Sequence, residues 1–339
     1  MKSLVYMGPK NIEIRERPIP IIKSGEALIK VKYCGICGSD IKIYKGKHSR
    51  IQPNMVLGHE FVGQIVDLKI DNPVEVKIGD YVVVEPIVHC HHCYYCKTGR
   101  YNLCKERGIY GCDFDGAFAE FIKVKIDKII KVLDTSNLKK MALVEPLAVA
   151  VSAVNKCNVK VGDKALVLGG GPIGLLVSQV LQFAGVSKVI VSEINKFRIE
   201  MAKKLGLEVV NPKEIDLGEY TKTLNKDGVD IVIDTVGYPS AIKSALSLVR
   251  RGGLINIVSL YSESVPIDLL KIVYSELTLK GTFIYTYNDF LKAKELLEAG
   301  LIKVKPLISA IYPLKDAVKV FKEIEEGKID YLKILIEIK

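Results

Sequence analysis

The chain has 339 residues, 49% hydrophobic and 26% charged, a globular balance that excludes an intrinsically disordered protein and suits two domains. Its net charge of +10 is scattered, with Glu near many of the Lys residues and no basic arm with interleaved aromatics, so no nucleic-acid partner is expected. There is no run of about 18 apolar residues, and the opening MKSLVYMGPKNIEIRERP alternates like a strand rather than a signal peptide. The expectation is a cytoplasmic protein that does not span a membrane.

Up to about residue 130 the sequence reads as short strand-like runs split by turns: EALIKVKYCGICG, HEFVGQIVDL, GDYVVVEPIV and AFAEFIKV. From Val161 the rhythm changes. A buried-strand run, KALVLGGG, leads into the helical pattern PIGLLVSQVLQFAG. Strand VSKVIVSEI, helix KFRIEMAKKLG, strand VDIVIDTVG, helix PSAIKSALSLVRRGG and strand LINIV follow. Strands alternating with helices of this length predict βαβ units and a parallel sheet. After about Thr282, the helical NDFLKAKELLEAGL and KDAVKVFKEIEEG precede a last strand, YLKILIEIK. The fold class read from this order is α/β in two domains, a β-rich one and a doubly wound Rossmann one.

Gly169, Gly171 and Gly174 form GxGxxG directly after a strand and at the opening of a helix. The first glycine permits the tight turn, the second lets a pyrophosphate approach the backbone, and the third allows close helix-on-strand packing. Glu193 follows at the end of the next strand, where a carboxylate accepts hydrogen bonds from ribose hydroxyls and repels a 2′-phosphate. That points to NAD. Arg198, close behind, is the residue that would receive the phosphate of NADP.

Of eight cysteines, Cys90, Cys93, Cys96 and Cys104 are spaced C-x2-C-x2-C-x7-C. Four thiolates close a tetrahedral shell around zinc, which makes a structural site, with His89, His91 and His92 as neighbouring loop residues. A second, dispersed set comprises Cys37 in CGICGSD, His59 and Glu60 in LGHEFVG, and Glu145 in LVEPLA. A mixed thiolate, imidazole and carboxylate set suits a zinc ion that keeps one position open. The two sets are candidate positions for two zinc ions per chain.

CGICGSDIKIY, VLGHEFVGQIV, the four-cysteine lobe, EPLAV and VLGGGPIG, in this order, resemble the zinc-containing medium-chain alcohol dehydrogenases from end to end. The resemblance implies a partly barrel-like, GroES-like catalytic domain over residues 1–150, to which 285–339 return, with a dinucleotide-binding domain at 151–284 between. It implies catalytic zinc on Cys37, His59 and Glu145, with Glu60 as a carboxylate that ligates or exchanges. Glu145, VEPIVHCHHC and KGTFIY look like the polyol and butanediol branch. The implied reaction passes a hydride between a secondary alcohol, diol or polyol and NAD, giving a ketone or aldehyde; a threonine or aldose dehydrogenase is the alternative. Ser39 takes the hydroxyl proton, Ile173 backs the nicotinamide ring, and Lys333 lies near the pyrophosphate. Lys42 stands where many relatives close the proton relay with His, and Ile284 stands where sorbitol-type enzymes have Arg. A homo-oligomer, tetramer or dimer, is expected from the family.

Overall fold

The computed structural model describes residues 1–48 and 51–339. The chain divides into two compact units. The first comprises 1–145, 286–299 and 307–339, and the second 146–285 and 300–306.

In chain order the first unit contributes β1 (Lys2–Gly8), β2 (Asn11–Glu16), β3 (Glu26–Gly35), β4 (Met55–Val56), β5 (Glu60–Lys69), β6 (Tyr81–Val84), β7 (Ile87–Val88), β8 (Gly108–Ile109), β9 (Phe121–Lys125) and β10 (Ile129–Lys131). In β3, Ala27, Ile29 and Val31 point into the core while Leu28, Lys30 and Lys32 alternate away from it, the period of two that a strand imposes. The strand stops at Gly35, so the expected run through CGICG is cut. Cys37 instead caps the helix Gly38–Tyr44, with Cys37 N–H donating to Asp40 Oδ2 at 2.8 Å.

The second unit holds β11 (Lys164–Leu168), β12 (Lys188–Ser192), β13 (Glu208–Val210), β14 (Val229–Asp234), β15 (Val249–Ile257) and β16 (Thr278–Gly281). All pairings are parallel and the order is β13-β12-β11-β14-β15-β16, the doubly wound order of a Rossmann sheet. Leu166, Ile190, Val232 and Ile255 lie buried at its centre. The sequence rhythm shows four of these strands. β13 and β16, three and four residues long at the two edges, are too short to leave a periodic signal. The VRRGG segment, read as a helix end, begins β15 instead, because Val249 already pairs with Val229 across a register shift.

β17 (Ile308–Pro313) and β18 (Lys333–Glu337) belong to the first unit, where the larger sheet runs β10-β6-β5-β3-β18-β17 with β9 also on β3. The return is shorter than the sequence suggests. Residues 300–306 stay with the second unit, held by a reciprocal pair in which Gln179 Nε2 donates to Lys303 O at 3.1 Å and Lys303 N donates to Gln179 Oε1 at 2.8 Å.

Candidate active site

The geometry of the site begins in strand register. Gly35, at the end of β3, sits opposite Glu60 on β5 and opposite Leu335 on β18, both antiparallel. Cys37 lies two residues beyond Gly35, and His59 one residue before Glu60, so strand pairing brings distant parts of the sequence to one corner. Donor atoms of Cys37, His59 and Glu60 all lie within 4.8 Å of one another. Gly58, with φ +94°, turns the chain into His59; a Cβ there would run into Cys34 Sγ and Phe118.

The charge around His59 is that of a cation site. Burial alone lowers the imidazole pKa, but Cys37, Asp40 and Glu145 together override it and hold it well above its ordinary value. His59 Nδ1 is 3.9 Å from Asp40 Oδ1, and neither atom has a hydrogen-bond partner among the described residues. A thiol, an imidazole and a carboxylate converging there, with His59 Nδ1 unpartnered and facing Asp40, fit a zinc ion. Asp40 was not singled out from sequence; its signal was the capping pattern three residues after Cys37. Glu145, buried in the first turn of the helix Val144–Asn155, adds to the field at His59 and Lys333 but is outside the close three-donor set.

Lys333 is engaged by partners inside the first unit. Its ammonium donates to both Glu60 carboxylate oxygens at 2.7 Å and to Ile36 O at 3.1 Å, and it is 3% exposed. With three acceptors for three N–H donors, it is fully engaged within the first unit. To reach Glu60 it passes over Gly35: a Cβ at that position would strike the Glu60 carboxylate and Lys333 Cδ. Ser39, in the first turn of the helix after Cys37, has a buried hydroxyl oxygen with no partner among the described residues. Lys42, in the last turn, is exposed.

The four-cysteine lobe forms a second cluster. Cys90, Cys93, Cys96 and Cys104 are free thiols, with Sγ separations of 3.8 Å for Cys90–Cys96, 3.5 Å for Cys93–Cys96 and 3.6 Å for Cys104–Cys90. Thiolates about 2.3 Å from a tetrahedral zinc stand roughly 3.8 Å apart, whereas a disulfide needs about 2.05 Å. The cluster therefore fits zinc and excludes disulfide pairing. Burial opposes ionisation of Cys90, but hydrogen bonds from the backbone N–H groups of Cys93 and His92 outweigh it and draw the thiol down to about 6. Behind the lobe Tyr101 hydrogen-bonds the buried Glu85, Lys128 Nζ pairs with Glu85 at 3.1 Å, and His89 stacks on the Tyr101 ring.

In the second unit Gly169 takes φ +101°, and a Cβ at Gly174 would fall on the Gly169 carbonyl oxygen. Gly171 caps the helix Pro172–Phe183, whose second residue is Ile173. The Glu193 carboxylate accepts from the N–H groups of Gly170 at 2.8 Å, Ile194 at 2.7 Å and Asn195 at 2.9 Å, and Arg198 Nη1 is 3.8 Å away. Glu193, Arg198, Gly169, Gly171 and Tyr238 line a cavity of about 550 Å³ at the carboxyl ends of the strands. Thr235, also at its wall, was missed from sequence because no motif marks it. Its hydroxyl donates to Leu168 O at 2.8 Å and pins the β14 loop to β11.

Comparison with known proteins agrees with this geometry. Residues 23–134 match the alcohol dehydrogenase GroES-like domain and residues 172–299 match the zinc-binding dehydrogenase family. The chain is 35% identical to sorbitol dehydrogenase of Bacillus subtilis, covering 99% of this chain and 97% of that protein. It is 36% identical to L-threonine 3-dehydrogenase of Caldanaerobacter subterraneus, over 90% and 89%. The solved structure of a zinc-binding dehydrogenase from Sinorhizobium meliloti bound to NADP superposes with a TM-score of 0.93 at 30% identity, over 99% and 98%. The chain belongs to the zinc-containing medium-chain alcohol dehydrogenases, in the polyol branch, with a GroES-like domain and a Rossmann domain. It is an NAD(P)-dependent zinc dehydrogenase.

Removing Lys333 leaves the Glu60 carboxylate buried without its counter-charge. Lys333→Met is expected to destabilise the protein by about 3–5 kcal/mol, and Glu60→Gln in the same chain is expected to recover part of that loss. Denaturant unfolding of the single and double variants measures both; a single variant as stable as the parent would refute the pairing.

Proposed function

We propose that the chain holds two zinc ions, a catalytic one on Cys37, His59 and Glu60 or Glu145 and a structural one on Cys90, Cys93, Cys96 and Cys104, and uses NAD in preference to NADP to oxidise a secondary alcohol, diol or polyol. The observation that carries the reading is the convergence of the half-buried Cys37 with the buried His59 and Glu60 donors, beside the unpartnered Ser39 hydroxyl on the adjoining helix turn. When bound, zinc supplies Lewis-acid polarisation of the substrate hydroxyl and the nicotinamide supplies the hydride acceptor. Asp40 faces His59 Nδ1 at 3.9 Å from behind the ring, and Lys333 holds Glu60 and offsets its charge. Ser39 accepts the hydroxyl proton and releases it toward solvent. Ile173 backs the nicotinamide ring, carried over from the family. The protein works in the cytoplasm, and no helix among the described residues is long and apolar enough to cross a membrane.

Cofactor choice rests on Glu193. Its carboxylate, held by three backbone N–H groups at the cavity wall, takes the ribose hydroxyls and repels a 2′-phosphate, while Arg198 supplies the opposing attraction. Kinetics over secondary alcohols, diols, polyols, aldoses and L-threonine with each cofactor test the whole reading. The highest kcat/KM is expected for a diol or polyol with NAD, and Glu193→Ser is expected to narrow the NAD preference. A preference for NADP in the unaltered chain would transfer the role to Arg198. L-threonine as best substrate would establish the second reading, which the 36% identity to the threonine enzyme supports.

The proton route separates two residues on one short helix. A positioned proton-transfer group contributes about a hundredfold or more, so Ser39→Ala should lower kcat by that order. Lys42 is exposed on the last turn of the helix and away from the donor cluster, so Lys42→Ala should cost less than about tenfold. Equal losses, with zinc and cofactor binding intact, would make Lys42 part of the chemistry.

The chain works as a homo-oligomer, a dimer or tetramer. Among the described residues β16 is an unpaired sheet edge, and the helix Leu269–Tyr274 leading into it exposes Leu269, Leu270, Val273 and Tyr274. A second copy related by a two-fold axis would pair edge with edge and cover these side chains. Sedimentation of Leu270→Glu/Tyr274→Glu is expected to show a smaller species than the parent; an unchanged species would remove this edge from the interface.

A further inference from the structure

One side-chain set on the cysteine lobe is left over when the two zinc sites are complete. His92 and Glu106 are both exposed, and their donor atoms lie within 4.8 Å of Cys90 Sγ and of each other. His92 Nδ1 is 2.8 Å from the Cys90 carbonyl oxygen. A carbonyl only accepts, so Nδ1 is the donor of this bond and Nε2 is the ring nitrogen left to face a cation. That nitrogen is 3.8 Å from Glu106 Oε1. Two donors each about 2.1 Å from one ion are at most roughly 4.2 Å apart, so a single cation can bridge them. A backbone carbonyl fixing the far nitrogen is the usual support for a metal-binding imidazole.

We infer that His92 and Glu106 form a third metal site, which captures Zn2+ from solution beside Cys90 and passes it to the four-thiolate set. The chemistry is an imidazole nitrogen and a carboxylate, which suits a borderline divalent cation. Cys90 is the natural recipient, because its sulfur is the lobe donor that lies within 4.8 Å of both His92 and Glu106 donor atoms. Capture places the ion within one ligand exchange of the closed shell. The nearby pair of His91 Nε2 and Asp127 Oδ2, at 3.9 Å, provides a comparison without the fixed tautomer or the third donor.

The inference rests on the reading of Cys90–Cys104 as a zinc site, and the test begins with metal analysis of the purified full chain. Zinc absent from the lobe would overturn that reading, and this site with it. With both zinc ions in place, calorimetric titration with further Zn2+ is expected to show one additional bound equivalent. His92→Ala and Glu106→Gln should each weaken it by about tenfold or more, and His91→Ala should leave it unchanged. Isotopically enriched Zn2+, followed by native mass spectrometry, should enter the lobe about tenfold more slowly in the His92 and Glu106 variants. Both substituted residues are exposed, so the variants should retain the parent melting temperature. A parent chain that binds no third ion, or variants that match the parent in binding or in exchange, would overturn the inference.

Discussion

Two strands flank β3 where it runs out, and both present a charged side chain to the same glycine. β5 places Glu60 opposite Gly35, and β18 places Leu335 opposite it with Lys333 two residues away. Because Gly35 has no side chain, the lysine crosses β3 and closes on the carboxylate. The Cys37, His59 and Glu60 cluster is keyed to this crossing. A slip of one residue would turn every side chain of the shifted strand to the opposite face, separating His59 from Cys37 and Lys333 from Glu60. The hydrophobic alternation of β3 forbids the slip, since Ala27, Ile29 and Val31 would leave the core.

The crossing also settles an electrostatic problem. Cys37, Asp40, Glu60 and Glu145 concentrate negative charge in a buried corner, which without a cation is unfavourable. Lys333 supplies one positive charge, and a zinc ion held there would supply the rest. The lysine thus sets how much negative charge remains for the ion, and holds Glu60 close to the metal position without making it an obligatory ligand.

The lobe and the dinucleotide cavity solve simpler problems with local means. In the lobe the four sulfurs come from fifteen consecutive residues, and hydrogen bonds from N–H groups in the same loop prepare Cys90 as a thiolate. At the cavity the first and third glycines of the motif meet each other directly, and Glu193 is held by N–H groups from its own turn and from Gly170. Such sites survive small shifts elsewhere because few distant contacts define them. The corner at Gly35 has no such independence.

This difference in range explains what could be read in advance. The sequence alone determined the α/β class, the order of β-rich and βαβ segments, the spacing of the lobe cysteines and the glycine turn with Glu193, because each depends on neighbours within a few tens of residues; the dispersed Cys37, His59, Glu60 and Glu145 set was legible through resemblance to a family. Only the tertiary structure decided that Lys333 reaches across Gly35 to Glu60, that Asp40 backs His59, that the Ser39 hydroxyl is buried without a partner, and that 300–306 remain with the second unit through Gln179. The edge strands β13 and β16 belong with these, being too short to show a period and existing only because a neighbouring strand offers its hydrogen bonds. The physical reason is common to all of them. They are pairings between residues far apart in the chain, fixed by sheet register and by the absence of a Cβ at one position, and neither leaves a periodic trace in the sequence.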